Sequence, residues 1–155
     1  EGYPLVQSTQ EGRFAEQGLG EWEGLTWDEA LPGGEQHPFW HTTAEYRPPQ
    51  GESFIDVIER VHEGILEWTE KLRGKDIVCV AHGGVIRAVT SIAMGLTPDK
   101  ALSVGVDNCS ISRFDWVEYG EDESKKAWRT GYVNLSPRKP WGFANGAPLD
   151  DDERG

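Results

Sequence analysis

Positive charge is scarce in this sequence: 15 lysines and arginines stand against 27 aspartates and glutamates, a formal net charge of −12. Such a field repels a nucleic-acid backbone or an anionic membrane surface, which excludes both as principal partners. A small phosphorylated metabolite is admissible where a local cationic pocket overrides the global field. Cysteine is nearly absent. Cys79 and Cys109 are the two in the chain, both in apolar, strand-like stretches, and they read as reduced core thiols of a cytoplasmic protein. No apolar run approaches the length of a membrane span, and no basic, apolar, small-residue segment opens the chain. A metal site lacks its parts, since His37 and His41 lie in a proline-rich loop and no Cys or His at ligand spacing accompanies His82. The Gly-x-Ser-x-Gly turn of a serine hydrolase is missing too. Neither a metal nor an organic cofactor is expected.

What the chain does contain fits a single globular domain: 155 residues leave room for a hydrophobic core, and seven tryptophans are available to help fill it. Glu16 to Gly24 carries three glycines in nine residues, too many for regular structure. Thr26 reads as the N-cap of a short helix with Asp28 and Glu29 in its first turn, ended by Pro32-Gly33-Gly34. The strongest periodicity lies in Ser53 to Arg73, where Phe54, Val57, Ile58, Val61, Ile65, Trp68 and Leu72 recur every three or four residues. Ser53 is placed to cap this helix and Gly74 to stop it. Asp76 to Ala81 then reads as a short buried strand, and Val85 to Leu96 as a second helix closed by Gly95 and Pro98. Cys109–Tyr119 and Ala127–Leu135 alternate like paired strands across the polar loop 120–126. The expected domain spans 1–135, and the proline-, glycine- and aspartate-rich 136–155 is expected to be a poorly ordered tail.

The stretch Val78 to Val89, VCVAHGGVIRAV, concentrates the chemistry. In open α/β sheets ligands bind beyond the carboxyl ends of strands, where the following loop enters a helix. His82 falls at that position. Gly83 and Gly84 let backbone amides approach an anion, and the helix that follows points its positive end at the same spot. The triplet also fits a hydrogen-bonded structural histidine, so His-Gly-Gly by itself does not decide between the two.

A second set of residues does. Glu16 opens Glu-Gln-Gly-Leu-Gly-Glu-Trp-Glu-Gly; later come Pro48-Pro49-Gln50-Gly51-Glu52-Ser53-Phe54, Arg60-Val61, and Ala81-His82-Gly83-Gly84-Val85-Ile86-Arg87. The order and spacing resemble the histidine phosphatase superfamily, the phosphoglycerate mutase-like proteins, from about Glu11 to Leu135. The resemblance implies a three-layer α/β/α sandwich around a mainly parallel sheet. It implies phosphoryl transfer through a phosphohistidine, as phosphomonoester hydrolysis or, alternatively, mutase-type isomerisation. His82 then corresponds to the second active-site histidine, which binds the phosphoryl oxygens, with the Gly83 amide beside it, and Glu16 to the proton donor. Arg87 is either a phosphate ligand or one half of a buried ion pair. Glu52 and Ser53 form a helix start and contribute to the pocket wall. Trp22 and Trp27 read as packing residues and His62 as a surface residue. The family's Arg-His-Gly nucleophile segment has no counterpart in this sequence, and the chain opens Glu1-Gly2-Tyr3-Pro4 with no initiator methionine. The expectation is therefore the carboxyl-terminal part of a longer enzyme, inactive by itself, lacking a strand–helix–strand unit of roughly 30 residues or more and incomplete at its amino-terminal side. A catalytically dead module that binds phosphorylated ligands is the alternative.

Overall fold

The computed structural model describes residues 8–30, 43–118, 120 and 126–136, with Trp27 through its backbone only. The elements run α1 (Trp27–Ala30), α2 (Phe54–Lys71), α3 (Gly83–Met94), α4 (Pro98–Leu102), β1 (Ile111–Glu118) and β2 (Lys126–Leu135), preceded by single 3₁₀ turns at Gly12–Phe14 and Gly20–Trp22. His37, His41, the Pro32–Gly34 helix stop and the expected tail beyond Ser136 lie outside the described residues.

The periodic stripe makes α2 as expected. Ser53 is its N-cap in a reciprocal capping box with Asp56: the Asp56 amide donates to Ser53 Oγ, and the Ser53 amide donates to the Asp56 carboxylate. The hydroxyl's hold on that carboxylate lowers the Asp56 pKa. Phe54, Val57 and Val61 are buried and pack with Val85 and Ala88 of α3, Ala101 of α4 and Ala44. Full withdrawal of a phenylalanine or valine side chain from water contributes about 1.5–3 kcal/mol. Gly64, also buried, leaves room for the Phe14 ring, which a Cβ there would crowd at 2.8 Å.

Around this helical core the structure departs from the sequence reading in four places. The second helix starts at Gly83, two residues early, and Pro98 opens α4 instead of ending α3, because proline at a first helical position has no amide to lose. Thr26 does stand at the N-cap of α1 as expected, its carbonyl accepting from the Ala30 amide while its hydroxyl and amide both donate to Glu29. Residues 76–81 form no strand, and they are not buried: Val78 is 90% and Val80 96% exposed. Cys79 on that segment and Cys109, in a left-handed turn at φ 61°, are free and exposed, so neither is a core thiol.

The chain is of the α/β class. Among the described residues its sheet is the antiparallel pair β1–β2, with Trp116 opposite Trp128 and their rings 5.1 Å apart. The mainly parallel sheet expected from the sequence is not present among them. Residues 76–81 find no described neighbour to complete their backbone hydrogen bonds, which is why an apolar segment stays outside the core.

Candidate active site

α3 begins without a cap of its own. His82 is the N-cap residue, extended at φ −111° and ψ 173°, and its side chain makes no capping bond. The cap comes from 68 residues away: the Gly84 amide donates to Glu16 Oε1 at 3.1 Å and to Oε2 at 3.2 Å. A carboxylate at this helix end is favoured by the unpaired amides of the first turn and by the helix dipole. A Cβ on Gly84 would run into Oε1 of Glu16, so the glycine is what admits the carboxylate. The fold thus brings Glu16 to the His82-Gly83-Gly84 turn. Both Glu16 and His82 are exposed.

Glu16 is held from behind. Two loops cross at this point, with backbone against backbone: the Glu52 amide donates to Gly18 O at 2.8 Å, and the Glu21 amide to Pro49 O at 2.9 Å. Gly20 makes the crossing possible, having φ 58° and no room for a Cβ against Pro49 O. Glu52 is engaged three ways. Its carboxylate pairs with the Arg60 guanidinium and accepts from the Gly18 amide, and its carbonyl accepts from Gln17 Nε2 at 2.7 Å. The Arg60 guanidinium holds the Glu52 carboxyl below its usual range. Ser53 is buried and occupied as the α2 cap. Trp22 stacks near Tyr46, ring centres 5.7 Å apart, in agreement with packing, and His62 is exposed on α2.

Among the described residues Arg87 has no acidic partner to form an ion pair. Its Nε donates to Val104 O at 2.9 Å, which fixes the guanidinium, and its NH1 lies 3.3 Å from where a Cβ of Gly83 would stand. The arginine therefore flanks the His82-Gly83 turn. Arg60 went without a role in the sequence reading; the available signal was an arginine immediately before the core residue Val61 and eight positions after Glu52. Among the described residues no group of three or more His, Cys, Asp or Glu side chains is placed to hold a metal ion, and no helix is long and apolar enough to cross a membrane.

One exposed carboxylate, an imidazole, first-turn amides and a braced arginine share a single helix end. That arrangement can bind an oxyanion and exchange a proton with a group attached to it. Comparison with known proteins bears on which oxyanion. Residues 3–128 match the histidine phosphatase superfamily (branch 1). A glucosyl-3-phosphoglycerate phosphatase of Mycolicibacterium vanbaalenii is 39% identical over 116 residues, covering 68% of this chain and 49% of that protein. A 2,3-bisphosphoglycerate-dependent phosphoglycerate mutase of Beijerinckia indica is 34% identical over 112 residues, covering 68% of this chain and 53% of that protein. The native structure of a mycobacterial glucosyl-3-phosphoglycerate phosphatase superposes with a TM-score of 0.66 at 28% identity, over 81% of this chain and 64% of that one. The chain spans about half the length of these curated relatives.

Proposed function

This chain belongs to the histidine phosphatase superfamily, and on that footing we propose that it takes part in phosphomonoester hydrolysis through a phosphohistidine, with Glu16 as proton donor and His82 as phosphoryl ligand. The observation that carries this reading is the Glu16–Gly84 contact, which places the carboxylate at the turn that bears His82. In the first step a histidine nitrogen forms a bond to phosphorus while the bond to the leaving oxygen breaks. Glu16 gives that oxygen its proton. In the second step water attacks the phosphohistidine, its proton passes to the Glu16 carboxylate, and inorganic phosphate and free histidine are released. His82, the Gly83 amide and the Arg87 guanidinium bind the equatorial oxygens, where charge is spread in the transition state.

The nucleophile in this reading comes from residues outside the 155. It is carried by a strand that pairs with segment 76–81, within a three-layer sandwich around a mainly parallel sheet. The exposure of Val78 and Val80, which share one face of a strand, and of Ile77 and Cys79, which share the other, supports this arrangement, since apolar side chains on both faces suit a strand covered on both sides. The substrate is a small phosphorylated metabolite. Mutase-type isomerisation is the second reading, favoured by the phosphoglycerate mutase relative.

The leaving group tests the assignment of Glu16. An alkyl alcohol departs poorly without a proton, whereas a nitrophenol does not need one. In the intact protein, Glu16→Gln is expected to cut single-turnover rates for an alkyl phosphate by about a hundredfold or more and to slow p-nitrophenyl phosphate far less. Equal losses for both substrates remove Glu16 from the chemistry. Tight phosphate binding with no turnover in the wild-type protein identifies a catalytically dead binding module.

A further inference from the structure

The Arg60 side chain makes more bonds around the site than any other described cation, and none of them is to a group that could react. Its NH1 donates to Arg13 O at 2.7 Å and its NH2 to Glu16 O at 3.1 Å. Its Nε and NH2 donate to the two oxygens of Glu52 at 2.8 and 3.0 Å, and the same carboxylate takes the Gly18 amide at 2.9 Å. The segment carrying Glu16 is thereby fastened at residues 13, 16 and 18 to one guanidinium and its counter-ion. The side chain springs from a stretch of α2 anchored in the core, where Val57 and Val61 are wholly buried.

From this geometry we propose that Arg60 is a positioning residue for the proton donor, holding the Glu16 backbone so that its carboxylate stays on the Gly84 amide. The inference rests on the reading of Glu16 as the proton donor. The physical reason is leverage. Glu16 is exposed and its side chain has three rotatable bonds, so an unfixed backbone would let the carboxylate wander by an ångström or more. Misplacement of that size costs about a hundredfold in rate. The planar arginine fork spans two carbonyls and a carboxylate at once, which a lysine ammonium at the end of a flexible stem cannot do.

Arg60→Lys in the intact protein is the test, because it keeps the charge opposite Glu52 while losing the fork. The first readout is the Gly84 amide resonance followed by NMR during acid titration, with Glu16→Gln as calibration. In the wild type this resonance should move as the carboxylate takes up a proton, and in Glu16→Gln it should not. In Arg60→Lys most of the movement should disappear while the resonances of Val57 and Ala88 keep their positions. The second readout is the leaving-group comparison, with alkyl phosphate turnover expected to fall about a hundredfold and p-nitrophenyl phosphate turnover less than about threefold. A Gly84 response as large as wild type overturns the positioning role, whatever the enzyme's activity. If Gly84 loses its response yet neither substrate distinguishes the variants, the positioning stands and the proton-donor reading fails. Should Arg60→Lys unfold, Glu52→Gln loosens the same guanidinium and is read in the same way.

Discussion

At Gly84 the absence of a side chain is itself functional. The residue is the second of α3, where alanine is the better helix former by up to about 1 kcal/mol in a helix interior. Yet a Cβ there meets the Glu16 carboxylate. Gly84→Ala is therefore expected to leave the thermal midpoint unchanged or raised while alkyl phosphate turnover in the intact protein falls by about tenfold or more. Calorimetry and single-turnover kinetics on one preparation check both halves, and retained turnover would show that the carboxylate's seat on this amide is dispensable. Glu11 offers a second residue-scale test. Its carboxylate accepts from the Arg13 side chain, from Trp68 Nε1 and from the Arg13 amide, which lowers its pKa from an ordinary 4.5 to about 2. A pKa depressed by folding contributes stability that is present above about pH 4.5 and is lost as pH falls towards 2. Glu11→Gln should thus show a shallower loss of stability than the wild type across that window in urea titrations. Glu52 and Asp56, also lowered, keep contributing in both proteins.

The elements differ in how much of their structure is locally encoded. α2 has everything in its own sequence: a capping serine, an acid three residues on, an apolar stripe and a positive-φ glycine just beyond its end. Ser53→Ala removes one half of the capping box at a buried position and is expected to destabilise by about 1 kcal/mol, measured as a shift in urea midpoint. If Ser53 serves the helix and not the substrate, kcat/KM in the intact protein should stay within about twofold of wild type, as for other changes away from the chemistry. A large loss of kcat/KM without a loss of stability would return Ser53 to the pocket wall. α3 is the opposite case. Its glycine C-cap at Gly95, φ 63°, is legible in the sequence, but its N-terminal cap is a glutamate that no local pattern could identify.

On the scale of the whole molecule, the described core is small and helical, seven buried apolar residues drawn from α2, α3, α4 and Ala44, while two valines of segment 76–81 face solvent. The proposed pairing of this segment with a strand from outside the 155 residues makes a direct prediction. In the intact protein the amides of Ile77 to Val80 should be protected from hydrogen exchange. In residues 1–155 expressed separately they should exchange at close to unprotected rates, and no phosphohistidine should form on exposure to a phosphomonoester. Equal exchange in the two forms would refute the pairing. Separate expression that yields a phosphohistidine would refute the external nucleophile.

The sequence by itself determined α1, α2 and α3, the pairing of β1 with β2, the α/β class and the family, because periodicity, caps and motif order are properties of residues close together in the chain. It also pointed to Glu16 and His82 as partners, through motif order. It placed residues 76–81 and the two cysteines in a core that the described residues do not supply, since burial is conferred by neighbours and apolar composition records only what a segment would tolerate. Only the tertiary structure decided that Glu16 caps α3 and that Arg87 reaches the Val104 carbonyl. It alone showed Arg60 gathering residues 13, 16 and 52 into one brace. These are contacts between side chains and backbone groups of distant segments, and only the folded chain brings such groups within hydrogen-bonding distance.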